Sequence, residues 1–303
     1  MKNILVINYS QTGQLDEILN NFLASFEGFQ IEKVKIEPKT PYPFPWSSEV
    51  FFDTMPGTVL EESIELQPYT LQREKYDLII VGYQPWFLSP SQPITALLTD
   101  PKFMKVMKDT PVATIIGARN MWLNSQESIV RWVQEAGGIM VANIPYIDKV
   151  QNHVSAISIL HWMLTGNKTK KWGIFPIPGV NQRDIDEAGK FGYPLAIAAE
   201  NANYDNVQKE ILDIGGIYIE PSILLIEGRA KKLFTFWAKT IEKKGTSPEK
   251  RAFWVSLFKW YLLIALFVIS PPVVFIHNLL SPIFRAKIKR DQQRYLYLGI
   301  NKN

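Results

Sequence analysis

The sequence predicts an α/β protein: a three-layer domain on a central parallel sheet, followed by a hydrophobic, membrane-associated helical region at the carboxyl end. Three observations carry this. Apolar runs at 4–7, 77–81, 112–116 and 139–144 alternate with helical patterning, as parallel strands covered on both faces do. Residues 260–284, twenty-five in a row, contain no Lys, Arg, Asp or Glu, which is the length of a bilayer core. The net charge of +4 is also divided: residues 229–303 hold 15 Lys and Arg against 3 Asp and Glu, leaving 18 against 26 elsewhere. The basic charge at one end suits anionic lipid.

Composition narrows the field. At 303 residues and 47% hydrophobic, the chain can bury a full core. With no cysteine, disulfides, thiolate metal sites and a cysteine nucleophile are excluded. His153, His161 and His277 are too scattered for a dense zinc cluster, and no metal is expected. The start of the chain runs from Lys2 and Asn3 through a short apolar segment into polar Ser10 and Gln11, unlike a secretory signal. The expected location is therefore the cytoplasmic face of the inner membrane, with the carboxyl-terminal segment as anchor.

In chain order, residues 4–7 form a strand and 8–14 a polar loop. Leu15, Ile18, Leu19, Phe22 and Leu23 then recur at helical spacing. A second strand is expected near 30–36. From 37 to 74 an excursion rich in proline and aromatics, with Pro41, Pro43, Pro45, Trp46, Phe51 and Phe52, cannot continue a ladder. It is expected to be irregular, and either to pack near the site or to be mobile. Strands at 77–81, 112–116 and 139–144 follow, with a helix over 126–136. Residues 154–164 read as a helix carrying His161 and Trp162, then come the basic turn 168–171, a helix over 185–200, a segment 208–212, and an extra strand over 217–226. The expected division is a sheet domain over 1–228, with insertions at about 38–73 and 148–228, and a basic, hydrophobic region over 229–303. Pro271 and Pro272 interrupt the apolar stretch, so a kinked span or a hairpin that dips in and returns is expected, with a monotopic anchor slightly favoured. A buried core helix or a hydrophobic dimer element, hence a homodimer, is the competing reading. Residues 230–243 are amphipathic and suited to the same surface.

In an open parallel sheet, ligands sit beyond the carboxyl ends of the strands. The first such loop, Ser10, Gln11, Thr12, Gly13 and Gln14, sets hydroxyls and a glycine before a helix start, an anion nest suited to a phosphate monoester; a plain polar helix cap is the alternative. It matches neither GxxxxGK[ST] nor GxGxxG. The second loop, with Gln84, Pro85, Trp86 and Phe87, is stiffened by proline and offers an aromatic to stack on a planar ring. The third, with Gly117, Arg119, Asn120 and Trp122, allows close approach, a cation and a second ring face. A phosphorylated flat heterocycle, with FMN the best fit, is the cofactor this set describes. Arg119 is the candidate for steadying an enolate, and Tyr83 and His161 for moving a proton; each of the last two also reads as a packing residue.

The loop at 10–14 resembles the [ST]-x-T-G-x-T phosphate loop of the flavodoxin-like superfamily, with Leu15 in place of the last threonine. The segments Tyr-Ser-Gln-Thr-Gly-Gln-Leu at 9–15, Pro-Tyr-Pro-Phe-Pro-Trp at 41–46, Trp-Phe-Leu-Ser-Pro-Ser at 86–91, Ile-Gly-Ala-Arg-Asn-Met-Trp at 116–122 and Trp-Met-Leu-Thr-Gly at 162–166 look like the bacterial dialkylresorcinol condensing enzymes of aryl-polyene and flexirubin pigment biosynthesis. That resemblance implies a ketosynthase partner and an FMN-dependent aromatisation of a 2,5-dialkylcyclohexane-1,3-dione to a 2,5-dialkylresorcinol. An NAD(P)H-dependent quinone or flavin reductase, and a non-catalytic electron-transfer or scaffold partner, are the rival readings. The substrate expected is a small hydrophobic cyclic dione or quinone, and the macromolecular surface an anionic membrane. Nucleic acid is not expected, because the basic residues bracket an apolar segment instead of tracking an aromatic groove.

Overall fold

A computed structural model describes residues 1–300. Five parallel strands make the central sheet: β1 (Asn3–Asn8), β2 (Gln30–Lys35), β3 (Leu78–Tyr83), β6 (Pro111–Ala118) and β7 (Ile139–Ile147). The remaining pair, β4 (Pro85–Trp86) and β5 (Ser89–Pro90), forms a small antiparallel hairpin beyond the end of β3. The sheet order is β2-β1-β3-β6-β7, which counted along the sheet strands is the 2-1-3-4-5 order of flavodoxin-like doubly wound folds. β1 stands between β2 and β3, with Ile4 opposite both Ile31 and Leu78.

Alternation along each strand builds two cores. Ile4 and Val6 face one side, where α1 (Gln14–Phe22), α9 (Gly189–Asn201) and α10 (Val207–Asp213) supply Leu15, Ile18, Phe22, Leu195, Ala199 and Ile211. Leu5 and Ile7 face the other, against α4 (Gln92–Leu98), α5 (Pro101–Met107) and α6 (Leu123–Glu135). β1, β3, β6 and β7 read as apolar runs because both their faces are largely dry, whereas the edge strand β2, QIEKVK, is mostly exposed or half-buried.

The excursion after β2 is not wholly irregular. It contains two short helices, α2 (Ser48–Asp53) and α3 (Met55–Val59), the first capped by the Ser47 hydroxyl, which accepts the Val50 N–H at 3.2 Å. Four more helices follow the sheet's last strands: α7 (Asn152–Thr165), α8 (Gln182–Asp186), then α9 and α10. The strand expected over 217–226 is instead the approach to and start of α11 (Pro221–Lys244). Pro221 occupies the first helical turn, where its missing N–H is harmless, and Ile223, Glu227, Phe234, Ala238 and Ile241 are buried along one helical face. The boundary expected at 228 falls inside this helix.

A third core joins α2 and α3 to α11 and α12 (Pro248–Ile264) through Phe52, Met55, Phe234, Ala238, Ile241 and Phe258. The apolar segment is no hairpin. α12 continues through a π-helical stretch over Ala265–Ile269 into α13 (Ser270–Leu280), giving one 33-residue helix whose most apolar 18-residue window has a mean hydropathy of 2.1, long and apolar enough to cross a membrane. Pro271 and Pro272 lie in the first turn of α13, and the widened turn before them absorbs the missing hydrogen bonds. α14 (Arg285–Leu296) then turns back. Gln292 donates to the Ile219 carbonyl at 2.7 Å, Arg294 pairs with Glu127 at 2.8 Å, and the Leu296 carbonyl accepts from Gln208 at 2.7 Å. The long helix is thus tied to the sheet domain at its start by Arg251 to Asp53 (2.6 Å), in its middle by Ser270 to His153 (3.2 Å), and beyond its end by α14.

Two glycines separate packing from propensity. A Cβ on Gly192 of α9 would lie 2.3 Å from the Phe22 carbonyl, whereas one on Gly228 of α11 would meet nothing within 4 Å. Gly192→Ala is expected to lower unfolding stability by roughly 1–3 kcal/mol, because overpacking outweighs the gain in helix propensity. Gly228→Ala should raise it by about 0.5–1 kcal/mol, and denaturant titration of the two variants checks both signs.

Candidate functional site

Beyond the carboxyl ends of β1, β3 and β6, a cleft of about 220 Å³ is lined by Gln11, Thr12 and Gln14 of the first loop, Gln84, Pro85, Trp86 and Phe87 of the second, and Gly117, Ala118 and Arg119 of the third. This is the switch point between β1 and β3, where the order of strands reverses and two loops diverge to leave a crevice.

In the first loop, Gly13 has φ 81° and sets the start of α1 without a side-chain cap. The N–H groups of a helix's first turn have no intrahelical acceptor. The Ser10 hydroxyl is buried, and its oxygen has no hydrogen-bond partner among the described residues. An unpartnered hydroxyl beside free N–H groups is the donor set an anionic oxygen requires. Thr12 contributes a hydroxyl in the lining, 3.4 Å from the Gln14 nitrogen. Leu15 packs in the first core and adds apolar surface to the cleft lining.

The glutamines act differently from expectation. The Gln84 side-chain oxygen accepts the Gln11 N–H at 2.9 Å, and Gln11 Nε2 donates to the Pro43 carbonyl at 3.0 Å. Gln14 grips the Val180 backbone twice, accepting at 3.0 Å and donating at 3.2 Å. These three side chains hold loops together while lining the cleft.

Trp86 stands in the lining with Tyr9, Tyr42 and Trp46 edge-on to it at centroid distances of 5.9, 5.0 and 5.4 Å. The hairpin turn that carries it holds two non-glycine residues in the left-handed region, Phe87 at φ 46° and Leu88 at φ 64°. Burial of Leu88 in the third core, and Phe87 against Phe51 at 5.0 Å, compensate that conformation.

Arg119 is fixed by Nη1, which donates to the Asn152 carbonyl at 2.9 Å and to its side-chain oxygen at 2.8 Å. Burial lowers its pKa to about 10, opposed by Asp148 and Glu227, so it stays a cation at neutral pH.

Six expected residues are absent from the lining: Ser10 and Gly13, which belong to the first loop but do not line the cleft, and Trp122, Asn120, Tyr83 and His161. Trp122 is 1% exposed and packs in the second core, because it sits at the start of α6 with its ring turned under the sheet. Asn120 donates to the Asn152 side chain at 2.9 Å and is absent from the lining. The Tyr83 hydroxyl is buried and donates to Gln126 at 2.8 Å, and burial pushes its pKa well above the ordinary value. His161 misses by helical phase: Ile159, Trp162 and Met163 of α7 line the cleft, and a residue at 161 points elsewhere. Of these three, Trp162 was on the predicted helix but its direction was not legible.

The sequence reading also missed Trp46, Phe51 and Thr54 of the excursion and Gly179 of the loop after α7, all in the lining. The excursion therefore packs on the site, and its density of proline and aromatics was the signal. A further residue without a sequence signal is Glu227 of α11. It is fully buried, its Oε1 accepts the Asn124 N–H at 2.8 Å, and its Oε2 has no partner among the described residues. Burial raises its pKa to about 8, against hydrogen bonds from Asn124 that lower it.

No known family and no curated protein matches the sequence. Among solved structures, the chain is similar to a flavoprotein in complex with FMN from Lactobacillus acidophilus, at 15% identity and TM-score 0.40, over 48% of this chain and 93% of that one. It is also similar to a flavodoxin from the domain Archaea, at 12% identity and TM-score 0.34, over 65% and 99%. A flavone reductase is similar at 13% identity and TM-score 0.35, over 66% and 64%. These likenesses are weak, and the flavodoxin-like fold stands on the strand order itself.

Glu227 generates a pH dependence. The folded protein holds its proton up to about pH 8, whereas the unfolded chain releases it near 4.5. The stabilisation is complete below pH 4.5 and is lost as pH rises toward 8. Thermal midpoints measured from pH 5 to 8 should fall, and Glu227→Gln, which keeps the acceptor for Asn124, should flatten that slope.

Proposed function

We propose that the cleft binds FMN and that the protein is a flavin-dependent oxidoreductase. Its substrate is a flat hydrophobic cyclic dione or quinone, and in the most specific form of the reading it aromatises a 2,5-dialkylcyclohexane-1,3-dione to a 2,5-dialkylresorcinol. The observation that carries this is the meeting, at the β1/β3 switch point, of Thr12 and the α1 amino terminus with the Trp86 wall, the unpartnered Ser10 hydroxyl belonging to the same loop.

Ser10, Thr12 and the N–H groups of the loop and first helical turn would hold the phosphate. Trp86, Trp46 and Trp162 offer apolar surface to the ring system. The bound group supplies two-electron acceptance. Arg119, held rigid by Asn152, presents a cation where negative charge on a dione or flavin oxygen develops.

No His, Asp, Glu or Lys stands among the described lining residues. Such a cleft fits a substrate whose proton is acidic enough to leave without a strong base, and the carbon between two carbonyls meets that requirement. Loss of two hydrogens from the dialkylcyclohexanedione followed by enolisation gives the resorcinol, and the oxidant that re-forms the resting state is an external acceptor.

The long apolar helix supports a membrane-surface location. Because it is bonded to the sheet domain at its start, its middle and beyond its end, a crossing would require those bonds to break; the reading is a helix lying in the plane of the cytoplasmic face. A substrate with alkyl tails partitions to that surface. A ketosynthase is the partner proposed to deliver it.

The test is the visible spectrum of the full chain purified in detergent, followed by anaerobic addition of the dione. FMN that bleaches as resorcinol appears is the expected result. No flavin after FMN titration overturns the reading, and bleaching by NAD(P)H but not by the dione moves it to a quinone reductase. Trp86→Ala should weaken FMN by about three- to tenfold, and Arg119→Met should lower kcat/KM by about a hundredfold or more with the dione.

A further inference from the structure

Residues 149–183 contain no Asp or Glu but carry Lys149, Lys168, Lys170, Lys171 and Arg183. Within this stretch, between α7 and α8, lies an exposed apolar loop. Trp172 is 75% exposed, Ile174 79% and Ile177 54%, and Phe175 stacks edge-on to Trp172 at 5.8 Å. The Trp172 backbone is held at φ 53°, followed by Gly173 at φ 74°, so the indole is presented outward. Lys171 Nζ lies 4.7 Å from its ring centroid and Lys168 Nζ lies 5.4 Å from that of Trp162. Neither Lys168, Lys170 nor Lys171 has an acidic partner among the described residues.

α7 connects this loop to the long helix. Ile159, Trp162 and Met163 face the cleft, while Val154, Ile157, Leu160, His161 and Leu164 fall on the opposite face by helical phase and are half-exposed. The start of α7 touches the long helix through His153 and Ser270. Its 14 residues span about 21 Å. An apolar track therefore runs from Ser270 along the outside of α7 to the loop at 172–177, ending among cations.

We infer that the outer face of α7 and the 172–177 loop form a second bilayer-contact surface, separate from the long helix, that docks on anionic lipid. Aromatic and aliphatic side chains enter the interface and the lysines meet the headgroups. α7 then stands between cleft and bilayer, with one face toward each, so that the cleft wall formed by Ile159, Trp162 and Met163 is backed by lipid. This extends the membrane-surface reading above without depending on the cofactor.

The absence of cysteine makes single labels clean. In the full chain, Ile174→Cys reports the loop, Val268→Cys the long helix, and Asp205→Cys the opposite edge of the sheet. Each is coupled to an environment-sensitive fluorophore and mixed with vesicles of phosphatidylglycerol and phosphatidylcholine containing a doxyl-lipid quencher. Blue shift and quenching at 174, with none at 205, is expected whatever the label at 268 reports; loss of the signal at 268 alone would remove the long-helix anchor and leave this surface standing. A label at 174 that stays in water while 268 is quenched overturns the inference. The second arm is Lys168→Glu with Lys170→Glu and Lys171→Glu, one exposed and two half-buried positions, with the thermal midpoint measured alongside to confirm that the variant is folded. Binding to the anionic vesicles should fall at least tenfold and binding to pure phosphatidylcholine should not; equal binding to anionic vesicles overturns the inference as well.

Discussion

The cleft depends on a set of carboxamide ties. Parallel topology brings the ends of β1, β3 and β6 to one edge, but topology alone leaves the loops beyond them free. Gln84 accepts the Gln11 N–H, Gln11 donates to Pro43, and Gln14 binds both the N–H and the carbonyl of Val180. Each tie pairs a loop's backbone with a neutral side chain, which satisfies buried polar groups without introducing charge. Four segments distant in sequence are thereby registered against each other: the first loop, the excursion, the second loop and the stretch after α7. Remove the amide groups and the aromatic walls have no fixed spacing.

The same wall is continuous with the carboxyl-terminal helices. Trp86 rides on a hairpin whose tip residue, Leu88, is buried with Phe234, Ala238 and Phe258. Phe51 touches Trp46 and Phe87 on the site side and Phe52 reaches Phe258 on the other. Lys231 of α11 donates to the Ser89 hydroxyl in the hairpin. The carboxyl-terminal helices are therefore structural parts of the cleft and not an appended anchor. Cores pack at crystal-like density and transmit displacement, so the position of the long helix bears directly on the spacing of the aromatic wall.

Much of the sheet was legible because a parallel strand buried on both faces is an unbroken apolar run; the runs at 4–7, 112–116 and 139–144 lie within observed strands, and the run at 77–81 begins one residue before β3. The sheet's order was not, since strand neighbours are set by crossover direction. Directions of individual side chains were the weak point. Trp122 and Trp46 are equally plausible ring walls as letters, yet Trp122 turns beneath α6 and Trp46 faces the cleft. His161 and Trp162 differ by one position, about 100° around the helix, and only a fixed α7 axis decides between them. The misread strand at 217–226 has isoleucine-rich, β-favouring composition, but Pro221 begins a helix whose buried stripe continues to Ile241. Glu227 was invisible because an acid in an amphipathic helix normally points to water.

That acid shows how this site handles charge. Arg119 is the cation in the lining, and Asp148 and Glu227 both act on it electrostatically. Asp148 accepts from the Val150 N–H at 2.9 Å and the Ser155 hydroxyl at 2.6 Å. Glu227 is held neutral near pH 7 by burial. Were both carboxylates ionised, Arg119 would be more than neutralised and the cleft would repel an anionic phosphate and an enolate alike. With one of them protonated, the guanidinium is balanced by a single charge, and its donors remain available to an anion entering from the open side. The neutral Glu227 thus leaves Arg119 less compensated than two ionised carboxylates would.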